Sequence, residues 1–292
     1  MAKLRPLFTP AKPATARNVN APIMVSSVPN NAVTLFDDFY SSSIANIGFS
    51  VGTLATPDTL THISPLGGPS WQATEFSGTT GSVAQTPGTS AFLGLGSVNL
   101  NTGTTVTNSV GLDLGGTTTQ GLAAFYLSNT QPAIGLWRFQ WPSNLLTQDF
   151  GIGWVAFTTV PTTTNWLTDP DTALAGGGTN IVFTKHVASY ALAAAGDLMC
   201  RIYDANGLFN TNFVVAEAST LANATAYKLE VASDGTDLRV YLNGVQVGAT
   251  VTMTGLTSAA LRPSVRTVNT TAAARTVAID CYYQELGQAT AR

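Results

Sequence analysis

Few side chains in this 292-residue chain are suited to chemistry. Its glutamates are Glu75, Glu217, Glu230 and Glu285, and none has an acidic residue two positions away. Alternate positions on a strand project side by side, so a carboxylate pair acting as acid and base on a sugar would show that spacing. Glycoside hydrolysis by such a pair is therefore not expected. The two histidines, His62 and His186, stand far apart in the sequence, with no Gly-x-Ser-x-Gly elbow and no cysteine partner in either neighbourhood. Each is expected to be a lone surface or hydrogen-bonded imidazole. No histidine or cysteine spacing suits zinc. The glycines of "ALAGGGTN" do not join a strand to a helix and read as a loop, and Asp169 and Asp171 just before them depart from the EF-hand spacing.

Aromatic residues offer a second chemistry. In "AIGLWRFQWP", Trp137, Phe139 and Trp141 share one strand face, Arg138 lies on the other, and Trp154 falls on a neighbouring run. Indole faces on a concave sheet stack on sugar rings, with Arg138 supplying a polar contact; the alternative is that the same rings fill the interior of a sandwich.

The elements that must position these residues are strands. From Val33 onward, short apolar runs alternate with Gly, Pro, Asn, Asp and Thr clusters. The runs are "VTLFDDF", "SWQATEF", "GLAAFYLS", "AIGLWRFQW", "FGIGWVAFTT", "NIVFTKH", "LMCRIYD", "NFVVAEA", "LRPSVRTV" and "ARTVAIDCYYQEL", with a meander at 227–251. In that meander Tyr227, Leu229 and Val231, then Leu238, Val240 and Leu242, alternate with polar residues. Asn243-Gly244 supplies the two positions that tolerate positive φ in a type I′ turn. A dozen or so such strands predict two packed antiparallel sheets. The alanine-rich "SYALAAAGDLM" has no capping signature and is expected to form a turn or a short helix.

Composition narrows the class further. Charged residues make up only 10% of the chain, less than half of an ordinary soluble protein's share, and hydroxyl and amide residues take their place. Such a surface suits secretion or a large assembly. No apolar run approaches the length of a membrane span, and the N-terminus lacks the apolar centre of a signal peptide, so maturation without secretion is expected. Cys200 and Cys281 each sit in a strand-like run and read as buried thiols; a disulfide is not implied. Before Asp37 the chain carries Lys3, Arg5, Lys12 and Arg17 with no acid, a balance of +4. The remainder, with 9 basic and 16 acidic residues, is at 9 − 16 = −7. Five prolines also fall in residues 1–31, so residues 1–32 read as an extended basic arm ahead of a domain at 33–292. An arm of this kind lies against a neighbouring subunit or folds back on its own domain. Its four charges lack aromatic interleaving, so no specific nucleic acid is expected.

The run "AYKLEVASDGTDLRVYLNGVQVGATV", followed by "LRPSVRTVNTTAAARTVAIDCYYQEL", resembles the C-terminal half of concanavalin A-like jelly-roll domains of the laminin-G and glucanase type. "TLFDDFY" is similar to the first strand of that fold, which pairs beside the last. The resemblance implies an all-β, two-sheet antiparallel sandwich. It also implies that Asp37, Asp38 and Asp280 come close where first and last strands pair, the edge where members of the fold hold a structural calcium. The glucanases of the fold carry Glu-x-Asp-x-Glu on one strand, which is absent here. Versions with this composition and a basic N-terminal arm resemble virion proteins of tailed bacteriophages. That likeness implies a non-enzymatic capsid decoration or cement protein on the capsid surface. Its partners would be the major capsid protein and neighbouring copies of itself in a homo-oligomer, with no membrane. The alternative is a lectin-like head or tail appendage binding host surface glycans.

Overall fold

The computed structural model describes residues 32–37, 59–62, 71–76, 81–87, 96–114, 125–127, 132–156, 180–190, 193–203, 209–253 and 259–287. Seventeen strands run through them: β1 (Ala32–Asp37), β2 (Thr59–His62), β3 (Trp71–Phe76), β4 (Ser82–Pro87), β5 (Gly96–Asn101), β6 (Ser109–Leu114), β7 (Phe125–Leu127), β8 (Ala133–Gln140), β9 (Gln148–Ala156), β10 (Asn180–Lys185), β11 (Leu198–Tyr203), β12 (Phe209–Ala216), β13 (Ala226–Ser233), β14 (Asp237–Leu242), β15 (Val245–Thr252), β16 (Ala259–Asn269) and β17 (Thr276–Gly287). Two 3-10 turns, Leu145–Thr147 and Ala218–Thr220, lie wholly within the described residues. The alanine-rich stretch contributes a Tyr190–Ala193 bridge and a turn before β11.

The strands form two antiparallel sheets. Sheet A runs β15-β14-β13-β8-β17-β5-β4, with β1 also on β17; sheet B runs β12-β11-β10-β9-β16-β6-β3-β2, with β7 also on β16. The two long strands β16 and β17 each change neighbour part-way along one side. On β17 the partner switches from β5, which ends at Ile279, to β1, which begins at Tyr282, and Asp280 bulges out between them against β8. On β16 the switch from β7 to β6 falls between Leu261 and Ser264. Pro263 occupies that gap, where its missing N–H costs the ladder least.

Period-two alternation dictates which residues face inward. On β8, Ala133, Trp137 and Phe139 are buried between the sheets, with Trp141 just beyond. Trp137 lies opposite Tyr282 of β17, and Phe139 stacks on Phe150 of β9 at 5.1 Å between ring centroids. Fully burying such a ring contributes about 2–3 kcal/mol, and each favourable aromatic pair about 1 more. Gly135 is demanded by this packing, because a Cβ there would stand 2.1 Å from the Trp154 ring. A short polar chain threads the core: the Trp154 indole N–H donates to the Tyr282 hydroxyl at 3.1 Å, which donates to Gln284 at 2.6 Å. Burial holds the Tyr282 hydroxyl well above the ordinary phenol range. At one end, Phe213 of edge strand β12 lies over Gly248 of edge strand β15 and closes the sandwich.

Candidate functional site

The same alternation that fills the core leaves each sheet an outward face. On sheet B this face is built from charged residues set singly between apolar ones: Asp113 in "SVGLDL", Arg201 in "LMCRIY", and Arg262, Ser264 and Arg266 in "ALRPSVRTVN". Strand register arranges them in rows. Across β11, β10, β9, β16 and β6, one row reads Arg201, Val182, Gly153, Ser264, Asp113. The next reads Met199, Thr184, Gly151, Arg266, Gly111. Arg262 lies on β16 opposite Val155, one step beyond Gly153 on the same face.

Hydrogen bonds fix the set. The Ser264 hydroxyl donates to Asp113 Oδ1 at 2.5 Å, and Arg266 Nη2 reaches Asp113 Oδ2 at 3.2 Å. Arg201 Nε donates to Thr184 Oγ1 at 2.8 Å. A Cβ on Gly111 would stand 2.7 Å from the Arg266 guanidinium carbon, so glycine lets this side chain lie flat across β6. Arg201, Arg262, Arg266, Asp113, Ser264 and Thr184 are all fully buried, and Val155, Val182 and Tyr203 form a buried apolar cluster on the same side, so this side of sheet B is closed to solvent and its polar groups are satisfied within the protein. Desolvation lowers the Arg266 pKa to about 10, against the pull of Asp113.

The residues singled out by sequence fall elsewhere. Trp137, Trp141 and Trp154 have no exposed surface. The expected glycan platform is therefore corrected: their inward positions stack the indoles on one another and on Tyr282, Phe139 and Phe150, with no ring face left for a sugar. Arg138, on the outer face of sheet A, is partly exposed, and its guanidinium pairs with Asp280 at 2.9 Å where the β17 bulge brings the two together. First and last strands do pair, with Asp37 opposite Tyr282. Asp280 thus already has a cationic partner, and Asp38 lies outside the described residues. Among the described residues no three metal-ligating side chains cluster. The arm residues Lys3, Arg5, Lys12 and Arg17, the "ALAGGGTN" glycines, Asp169 and Asp171 also lie outside the described residues.

His186 differs from a surface imidazole: it is buried, edge-on to Tyr190, with Nδ1 3.8 Å from Asp149 Oδ2. Cys200 and Cys281 are both buried free thiols, on β11 in sheet B and β17 in sheet A respectively. Burial pushes the Cys200 thiol far above the ordinary range, which makes it inert.

No protein-family model matches the sequence, and no curated protein matches it. In structure the chain is similar to peanut lectin in complex with a nine-residue peptide, at TM-score 0.51 and 10% identity, over 89% of this chain and 99% of the lectin. It is also similar to the carbohydrate recognition domain of Emp47p, at TM-score 0.48 and 13% identity, over 85% of this chain and 97% of that one. A third similar structure is the CBM2 module of the evolved Dit of Lactobacillus casei BL23 phage J-1, at TM-score 0.46 and 12% identity, over 89% and 98%. The fold is a lectin-like two-sheet β-sandwich, the class defined by the peanut lectin match and the sheet order together.

Proposed function

We propose that the chain is a non-enzymatic, lectin-like carbohydrate-binding module. The observation that carries this reading is the lectin-like two-sheet sandwich itself. Arg201, Arg262, Arg266, Asp113 and Ser264 are fully buried on sheet B and form an internal polar layer, with Asp113 committed to Ser264 and Arg266. The test is a glycan array probed with the full chain, its melting transition checked alongside. The folded chain should bind a defined glycan set, and binding to no glycan on the array would overturn the reading.

A second reading concerns where the module sits. The basic arm leads directly into β1, an edge strand whose described partner is β17 alone. That arrangement supports an arm reaching a neighbouring subunit. The sandwich would then be mounted on a virion shell as a capsid decoration protein, against the major capsid protein and copies of itself, and would carry the carbohydrate-binding module outward.

A further inference from the structure

We propose that one end of the sandwich, built from four loops that cross between the sheets, holds the glycan and takes it in neutral form; this deepens, and rests on, the carbohydrate-binding reading. The loops are 102–108, 141–147, 217–225 and 270–275, which join β5 to β6, β8 to β9, β12 to β13 and β16 to β17. Strand register brings them to the same end, since Asn101 lies opposite Thr276, Gln140 opposite Ala278 and Ala226, and Gln148 opposite Asn269. Hydrogen bonds lace them into one surface. Asn269 Nδ2 donates to the Gly103 and Thr105 carbonyls at 3.1 and 3.2 Å. Thr270 Oγ1 and Arg275 Nε donate to the Thr147 carbonyl at 2.8 and 3.2 Å, and the Leu145 N–H donates to Asn223 Oδ1 at 2.9 Å. Within these loops Thr107, Asn144 and Ala224 are held at φ of 68°, 59° and 55°. Left-handed backbone costs a residue other than glycine about 1–2 kcal/mol, and such strain gathers at ligand sites. A surface ordered in advance loses little entropy when its ligand arrives.

The surface is open and nearly uncharged. Val106 and Leu146, 45% and 59% exposed, stand among exposed hydroxyl and amide side chains such as Thr105, Asn144 and Thr225. The four loops hold two charged residues, Glu217 and Arg275. The Arg275 guanidinium is taken up by the Thr147 and Ala274 carbonyls and the Thr271 hydroxyl, and Glu217 stands at the outer edge, where strand β12 ends. Hydroxyls and amides donate and accept as sugar hydroxyls do, and branched aliphatic side chains cover the C–H faces of a ring. A carboxylate on the ligand finds no available cation in these loops, and desolvating it unpaired costs more than a neutral hydroxyl would.

The experiment is an array of neutral and acidic oligosaccharides probed at low and raised salt with the full chain and with its Val106→Asp, Leu146→Asp and Ala249→Asp variants, each melt being recorded. Ala249, exposed on edge strand β15 outside the four loops, is the control. The expected result is that neutral glycans bind at least about tenfold more tightly than acidic ones. Their binding should be insensitive to salt, fall at least about tenfold in both loop variants while the melts stay intact, and persist in Ala249→Asp. Preference for acidic glycans, or binding that weakens with salt, would overturn the neutral class. Undiminished binding by either folded loop variant, or an equal loss in Ala249→Asp, would overturn the site while leaving the carbohydrate-binding reading in place. Binding to nothing on the array would sink that reading as well.

Discussion

Lys185 shows how far one buried charge can influence the whole. Its ammonium is buried at the end of β10 and donates to the Gln148 carbonyl at 2.8 Å. Desolvation lowers its pKa from 10.5 to about 8, only partly offset by Asp149. Below about pH 8 the amine is charged in both folded and unfolded chains, and the full burial cost applies. Between about 8 and 10.5 the unfolded chain binds the extra proton, so stability rises with pH through that window. The gap corresponds to about 3 kcal/mol. Denaturant melts of the wild type and Lys185→Met over a span of about three pH units upward from neutral should show the wild type gaining on the variant as pH rises. A constant difference would mean that the amine is not desolvated.

At the scale of elements, the β14–β15 hairpin isolates what a turn contributes. Asn243 and Gly244 have φ of 51° and 83°, as a type I′ turn requires, and the Asn243 side chain accepts the Lys228 N–H at 2.8 Å. A β-branched residue at 244 meets steric strain at that φ, so Gly244→Val should cost about 1–3 kcal/mol. Thermal melting measures it directly; an unchanged midpoint would show that the hairpin bends by another route. The turn orders β15, an edge strand of sheet A whose Val251 reaches the core.

At the scale of the molecule, the arm and the sandwich make separable contributions. Residues 1–31 precede β1, and the paired strands begin at Ala32 opposite Gly287. If the arm anchors the protein to a shell, removing residues 1–31 should abolish particle attachment while leaving the melting transition in place. Full attachment of the truncated chain, in a sedimentation assay with particles, would place the anchor on the sandwich itself.

Much of the frame was legible in the sequence because strand alternation is a local property. The meander, the Asn-Gly turn and the all-β class follow from apolar residues two apart and from turn chemistry, while the pairing of first and last strands came from the resemblance to jelly-roll domains. Strands β2, β4, β5 and β6 were less legible, since Ser, Asn, Gly and Asp within "GSVNLN" and "SVGLDL" mimic turn signals. Yet Val98 and Leu100, and Val110, Leu112 and Leu114, hold the period and fill the core. Alternation in "LRPSVRTV" also puts Arg262, Ser264 and Arg266 on one face of one strand, a pattern that carries no signal by itself. What local pattern lacked was the partner strands. Only the sheet order β11-β10-β9-β16-β6 brings Arg201 and Asp113 to that face, across sequence separations that alternation does not encode. The same holds for the tryptophans: sequence put Trp137 and Trp141 on a common side of β8, and packing of the second sheet turned that side into the interior. Periodicity determines which residues share a face, while the tertiary structure decides whether that face meets protein or solvent, because burial depends on what lies opposite.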